Sequence, residues 1–143
     1  MKLLVLAASY PYKQYAADGI YNERSVLSLR EHCEVLEVVV PRPLGAGLLA
    51  RFSPRWQTYA GMVKHEIREG IPVYRPGYLQ VPRLSPAVWA DPGAYLWCRK
   101  HVRAMHRRVG FDGILAFGLH MVGGLAWRLK DDLGIPAAGW ATG

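Results

Sequence analysis

Residues 9–24 read SYPYKQYAADGIYNER and set Tyr10, Tyr12 and Tyr15 beside a cation, Lys13, ahead of a lone glycine, Gly19. Aromatic faces, a mobile charge and a residue without Cβ are the parts of a ligand-contacting loop. Glycine lets a backbone approach closely, and a helix beginning there offers N–H groups to an anion. The same tyrosines would also serve to pack over the ends of a sheet, so the segment reads either as the lip of a site or as a cover. His120 is the second residue placed for chemistry. It stands at a predicted helix start, where an imidazole either orients a proton or is held by local hydrogen bonds.

Several chemistries are excluded by what does not recur. No GxGxxG follows the first apolar run, and the second ends Val38-Val39-Val40-Pro41 with no acid for a ribose hydroxyl, which argues against a nicotinamide or flavin dinucleotide. GxxxxGK[ST], GxSxG and HExxH are also missing. KHEIRE, residues 64–69, sets His65 beside Glu66 on a predicted hairpin, and both read as solvent-facing. The two cysteines, Cys33 and Cys98, lack CxxC spacing, so neither a disulfide framework nor a zinc site is expected, and a reducing cytoplasm fits. No metal and no cofactor are expected.

The formal net charge of +7 favours an anionic partner. It is concentrated on residues 94–109, where Arg99, Lys100, Arg103, Arg107 and Arg108 accompany His101 and His106 with no acid among them. Arg99, Arg103 and Arg107 recur every fourth residue and share one face. That face is either a solvated outer surface or one turned to an anionic membrane. No nucleic-acid module is recognisable, so no nucleic-acid partner is expected. The apolar run at 3–8 is shorter than the ~7–15 residues of a signal core. GILAFGLHMVGGLAW, 113–127, falls short of the ~20 residues of a membrane span.

The elements that must position these residues alternate in type. Residues 2–8 read as a strand buried on both faces, 34–41 as a second, β-branched strand stopped by Pro41, and 19–30 as a helix capped by Asp18. Residues 41–60 read as a long loop with one short helix. Residues 63–78 read as a hairpin turning at Glu69-Gly70, with Pro72 pushing the second arm to a sheet edge. A helix over 92–110 follows, with Tyr95, Cys98, Val102, Met105 and Val109 on one apolar face. A strand at 113–117, a helix at 119–133 and a strand at 136–141 complete the pattern. The expectation is an α/β fold: a doubly wound, mostly parallel sheet in the order 3-2-1-4-5 with a hairpin-like edge. Ligands would then sit beyond the carboxyl ends of the strands, in a crevice walled by loop 9–19 and by FGLHM, 117–121.

Taken together, these segments resemble the N-terminal domain of GT-B-fold glycosyltransferases of the family-four (glycosyl transferase group 1) type. SYPYKQYAADGIYNERSVLSL resembles the family's opening loop, glycine and following helix; EVLEVVVPRP resembles its second strand. EGIPVYRPGYL resembles the segment before its basic helix, and FDGILAFGLHMVGGLAWRLKDDLGIPAAGWATG its closing block. Ser9, Leu115, Phe117 and Thr142 depart from the family's pattern. The resemblance implies that 1–143 is the acceptor-side, Rossmann-like half of a two-domain enzyme. The donor site and paired glutamates would lie in a C-terminal domain absent from this chain, which ends just after a strand and would not turn over alone. It implies a nucleotide-sugar donor, a glycan or lipid-linked acceptor and a retaining reaction; the cysteine usage and the basic helix add the expectation of a cytoplasmic protein peripheral to the inner face of the membrane. His120, near the family's histidines after its fourth strand but out of register with them, is the catalytic candidate. Tyr12, Lys13, Gly19, Arg24, Thr142 and Gly143 are the ligand contacts, and Arg99, Lys100, Arg103 and Arg107 face the membrane. The alternative is a free-standing doubly wound module for a nucleotide or phosphorylated ligand.

Overall fold

In the computed structural model, which describes residues 1–44, 51–79 and 90–141, the first strand, β1 (Lys2–Ala7), lies inside a six-stranded sheet. The chain continues through α1 (Ile20–Arg30), β2 (Val35–Val39), β3 (Arg42–Leu44), α2 (Pro54–Ala60), β4 (His65–Arg68) and β5 (Ile71–Tyr74). It closes with β6 (Gly77–Leu79), α3 (Ala90–Val109), β7 (Gly113–Phe117), α4 (Met121–Leu133) and β8 (Ala137–Trp140). β1 is apolar throughout because both its faces are covered. Leu4 and Leu6 meet Cys98, Val102 and Met105 of α3 and Val122, Leu125 and Leu129 of α4. Leu3, Val5 and Ala7 face the other way, onto Val26 of α1. Burying each such leucine or valine stabilises the fold by about 1.5–3 kcal/mol.

The sheet is mostly parallel, but its order is β4-β5-β2-β1-β7-β8 rather than the five-strand order expected. Both arms of the hairpin join it. β5 runs parallel to β2, and β4 pairs antiparallel on the outside. Pro72 therefore sits in an internal strand, not at the edge. Arg75 N donates to Lys64 O at 2.7 Å, so by alternation Pro72 and Ile67 form a non-hydrogen-bonded pair. The missing N–H thus faces β2, whose ladder with β5 covers only Val38–Val73 and Val39–Tyr74, past the proline. Glu69 (φ 51°) and Gly70 (φ 77°) make the tight turn.

Beyond β2 and β5, Pro41 and Pro76 interrupt the ladder and a second, two-stranded parallel sheet resumes as β3 and β6. Neither strand is visible in the sequence pattern. The short helix expected within 41–60 is α2, and residues 45–50 of that stretch lie outside the described residues. α3 carries the expected apolar stripe and stops at Gly110 (φ 71°), whose N–H donates to His106 O at 2.7 Å. α1 departs from expectation: Gly19 (φ 72°) is its N-cap residue and no side chain caps it, Asp18 included. Among the described residues no helix is long and apolar enough to cross a membrane.

Candidate functional site at the carboxyl edge of the sheet

The loop leaving β1 is fastened at three points. Asn22 Nδ2, on the first turn of α1, donates to Ser9 O at 2.9 Å. Arg75, directly after β5, donates from Nη2 to Pro11 O at 3.0 Å. Gly19 backs onto the start of the loop so closely that a Cβ there would stand 2.6 Å from Ser9 C and Tyr10 N. Its glycine is thus demanded by its positive φ and by the loop's own backbone. Between these anchors Tyr12 and Tyr15 bond each other's main chain, with their rings 5.9 Å apart.

Beneath the loop lies an ionic cluster that the sequence reading missed. The Arg75 side chain has 0% exposure and meets Glu66 at 2.6 Å. Glu23 of α1, itself buried, pairs with Arg68 of β4. Tyr10 is enclosed with them, its hydroxyl pKa raised by burial and then by the charge of Glu23. Tyr10 Oη and Arg75 Nε and Nη1 have no hydrogen-bond partner among the described residues. Glu66, expected to face solvent, instead turns inward with Arg68, while His65 and Ile67 point out. A signal for Arg75 was present: Ile71, Val73 and Arg75 alternate on one buried face.

A cleft of about 550 Å³ opens between the loop and α2, lined by Tyr12, Tyr15, Ala17, Asp18, Pro54, Thr58 and Tyr59. The Tyr12 hydroxyl pKa is raised by burial and by Asp18, and the Thr58 hydroxyl donates to Pro54 O at 3.2 Å. Segment 117–121, which leads out of β7 beside β1, is not among the described residues lining this cleft. Leu119 lines a separate apolar cavity of about 290 Å³ with Gly123, Ala126, Trp127 and Ala138. His120 is exposed at the start of α4 without a side-chain capping bond, and Lys13 and Arg24 are exposed as well. The structure brings Tyr12 to the cleft, gives Gly19 to the loop's anchorage, and leaves His120, Lys13 and Arg24 off the cleft's lining. Thr142 and Gly143 lie outside the described residues.

The cations of α3 are less uniform than the lack of acids over residues 94–109 implied, because neighbouring elements supply acids. Arg103 forms a two-pronged ion pair with Asp132 of α4, Nε to Oδ2 at 2.7 Å, and holds that carboxyl below its usual range. Arg108 reaches Glu37 of β2 at 2.8 Å and Tyr74 Oη at 3.2 Å. Burial still pushes the Glu37 carboxyl up, Arg108 opposing it. Lys100 and Arg107 are exposed, and Arg99 lies 5.8 Å from the centre of the Tyr95 ring. Among the described residues no group of three His, Cys, Asp or Glu side chains is placed to hold a metal. Burial drives the Cys98 thiol up to about 12, far from reactivity.

No protein-family model matches the chain. It is similar, at 32% identity over 92 residues, to a protein of Bacillus subtilis (strain 168) named as a teichuronic acid biosynthesis glycosyltransferase, TuaC, an assignment which that name itself marks as provisional. The match covers 64% of this chain and 23% of the Bacillus protein's length.

Proposed function

We propose that this chain is the acceptor-side domain of a nucleotide-sugar-dependent glycosyltransferase with a retaining outcome and a glycan or lipid-linked acceptor. The similarity to the Bacillus protein carries this reading. The parallel sheet, with an anchored loop and a cleft at its carboxyl edge, is consistent with it. The donor's diphosphate and the paired glutamates belong to a further domain beyond residue 143. On this side, the start of α1, free of any side-chain cap, would face the donor with Lys13 and Arg24 nearby in sequence. His120 would hold or relay a proton of the acceptor hydroxyl. The protein would work in the cytoplasm at the inner membrane face, reached through Arg99, Lys100 and Arg107.

The 143-residue chain should bind nucleotide sugars poorly and transfer nothing, since half of the electrostatic stabilisation is missing. Calorimetry with a panel of sugar nucleotides, run on this chain and on the longer protein, tests this. Micromolar binding by the chain alone would favour a free-standing nucleotide module instead.

A further inference from the structure

We propose that the cleft between loop residues 12–18 and α2 is a saccharide subsite, shaped for an uncharged sugar ring and not for a phosphate. Its role as the acceptor's seat rests on the glycosyltransferase reading; the binding itself does not. A pyranose presents C–H groups on its faces and hydroxyls around its rim. Tyr12, Tyr15 and Tyr59 bring aromatic rings to the cleft, and the electron-rich face of such a ring suits the weakly positive C–H groups. Asp18 supplies a carboxylate able to accept hydroxyl protons in charge-assisted bonds, and Thr58 a hydroxyl beside it.

The arrangement is set before any ligand arrives. Tyr12 is 2% exposed and its main chain is paired with that of Tyr15, so it forms a fixed floor. Tyr15 is 56% exposed, leaving its ring open to a ligand, while the main-chain pairing with Tyr12 holds it in place. Such preorganisation lowers the ordering cost of binding. The volume, about 550 Å³, is within the range of small-molecule sites.

Charge decides the ligand class. Although the chain carries a net +7, none of the described lining residues is cationic, and Asp18 would repel a phosphate. Lys13, on the same loop, is not part of the lining. A polyhydroxyl ring therefore fits where an anion does not.

The test is a titration of the chain carrying ¹³C-labelled tyrosine, using maltose, N-acetylglucosamine disaccharide and inorganic phosphate in separate arms. At least one saccharide should shift the Tyr12, Tyr15 and Tyr59 resonances at roughly millimolar concentration, and phosphate should not. Tyr15→Ala should weaken that binding about tenfold. Asp18→Asn, nearly isosteric at an exposed position, should weaken it with the thermal melt unchanged. Absence of a shift with every saccharide, equal shifts with phosphate, or undiminished binding by both variants would overturn the subsite. In the longer protein Tyr15→Ala should raise KM for the acceptor and leave KM for the donor unchanged. Saccharide binding with no transfer by that protein would sink the glycosyltransferase reading and keep the subsite. Transfer indifferent to Tyr15→Ala would do the reverse.

Discussion

A guanidinium without access to water is stable only if its neighbours replace that water, and among the described residues Arg75 has Glu66 and the Pro11 carbonyl to do so. Arg75→Ala should therefore lower the unfolding free energy by about 3 kcal/mol, the low end for removing one partner of a buried pair, because Glu66 keeps some solvent contact. Arg75→Met combined with Glu66→Gln should recover part of that loss. Urea denaturation of both variants checks it, and an Arg75→Ala protein as stable as the parent would mean that the pair is not holding the loop. His101 gives a pH dependence. Burial, then Arg108 and His65, depress its pKa, so the folded state holds the proton less tightly than the unfolded chain. Its contribution to stability is complete above the ordinary histidine range near 6.5 and is lost as pH falls through the lower folded value. Urea midpoints measured on either side of that window should converge in His101→Leu. At this scale the sequence showed which residues were unusual but not why. Gly19 stands out in the sequence, yet what forces it is the backbone of Ser9, brought against it only by the fold. Glu66 was misread because its partner lies across a turn and beneath a loop.

At the scale of the element, α3 was the most legible part of the chain. Its apolar stripe depends on local periodicity, and Cys98, Val102 and Met105 are buried as that periodicity requires. Its charges were less legible, because the acids that balance them sit on α4 and β2, remote in sequence. This divides the basic face into two classes with different expected behaviour. Reversal at Arg107 or Lys100 should leave stability nearly unchanged and weaken binding to anionic vesicles, where each cation near the surface contributes about 1 kcal/mol. Arg103→Glu should instead disturb the α3–α4 packing, placing like charges against Asp132. The stability contributed by Asp132 is present above the ordinary aspartate range and is lost as pH falls through its depressed value, so that variant should show less acid sensitivity than the parent. Sedimentation with neutral and anionic vesicles, at low and high salt, reads the first class. Equal sedimentation with both would return the helix to a plain solvated surface.

For the whole molecule, the alternation of strands and helices was enough to anticipate a doubly wound, mostly parallel sheet, since continuous apolar runs demand cover on both faces. The place of the hairpin was not legible. Pro72 argues for an edge only if its missing N–H must face a neighbour along the whole strand, and β2 and β5 are paired only beyond it. The finished sheet has two unlike edges. On β4 the inward-facing side chains are Glu66 and Arg68, charges that bind the edge into the fold and discourage a further strand. β8, with the sequence Ala-Ala-Gly-Trp, has no such guard, and among the described residues nothing pairs with its outer side. Trp140 is 62% exposed there, and Leu119 and Trp127 add exposed apolar surface on the neighbouring loop and helix. An unpaired apolar edge beside exposed aromatics is a template for association. The 143-residue chain should therefore self-associate as its concentration rises through roughly the 10–500 μM range, where contacts of modest strength become populated. Ala138→Lys, placing a charge on that exposed strand, should shift the equilibrium towards monomer with the fold intact. Sedimentation velocity across that range decides between the outcomes: a parent chain that stays monomeric throughout, or association indifferent to Ala138→Lys, would mean that β8 is not the adhesive edge.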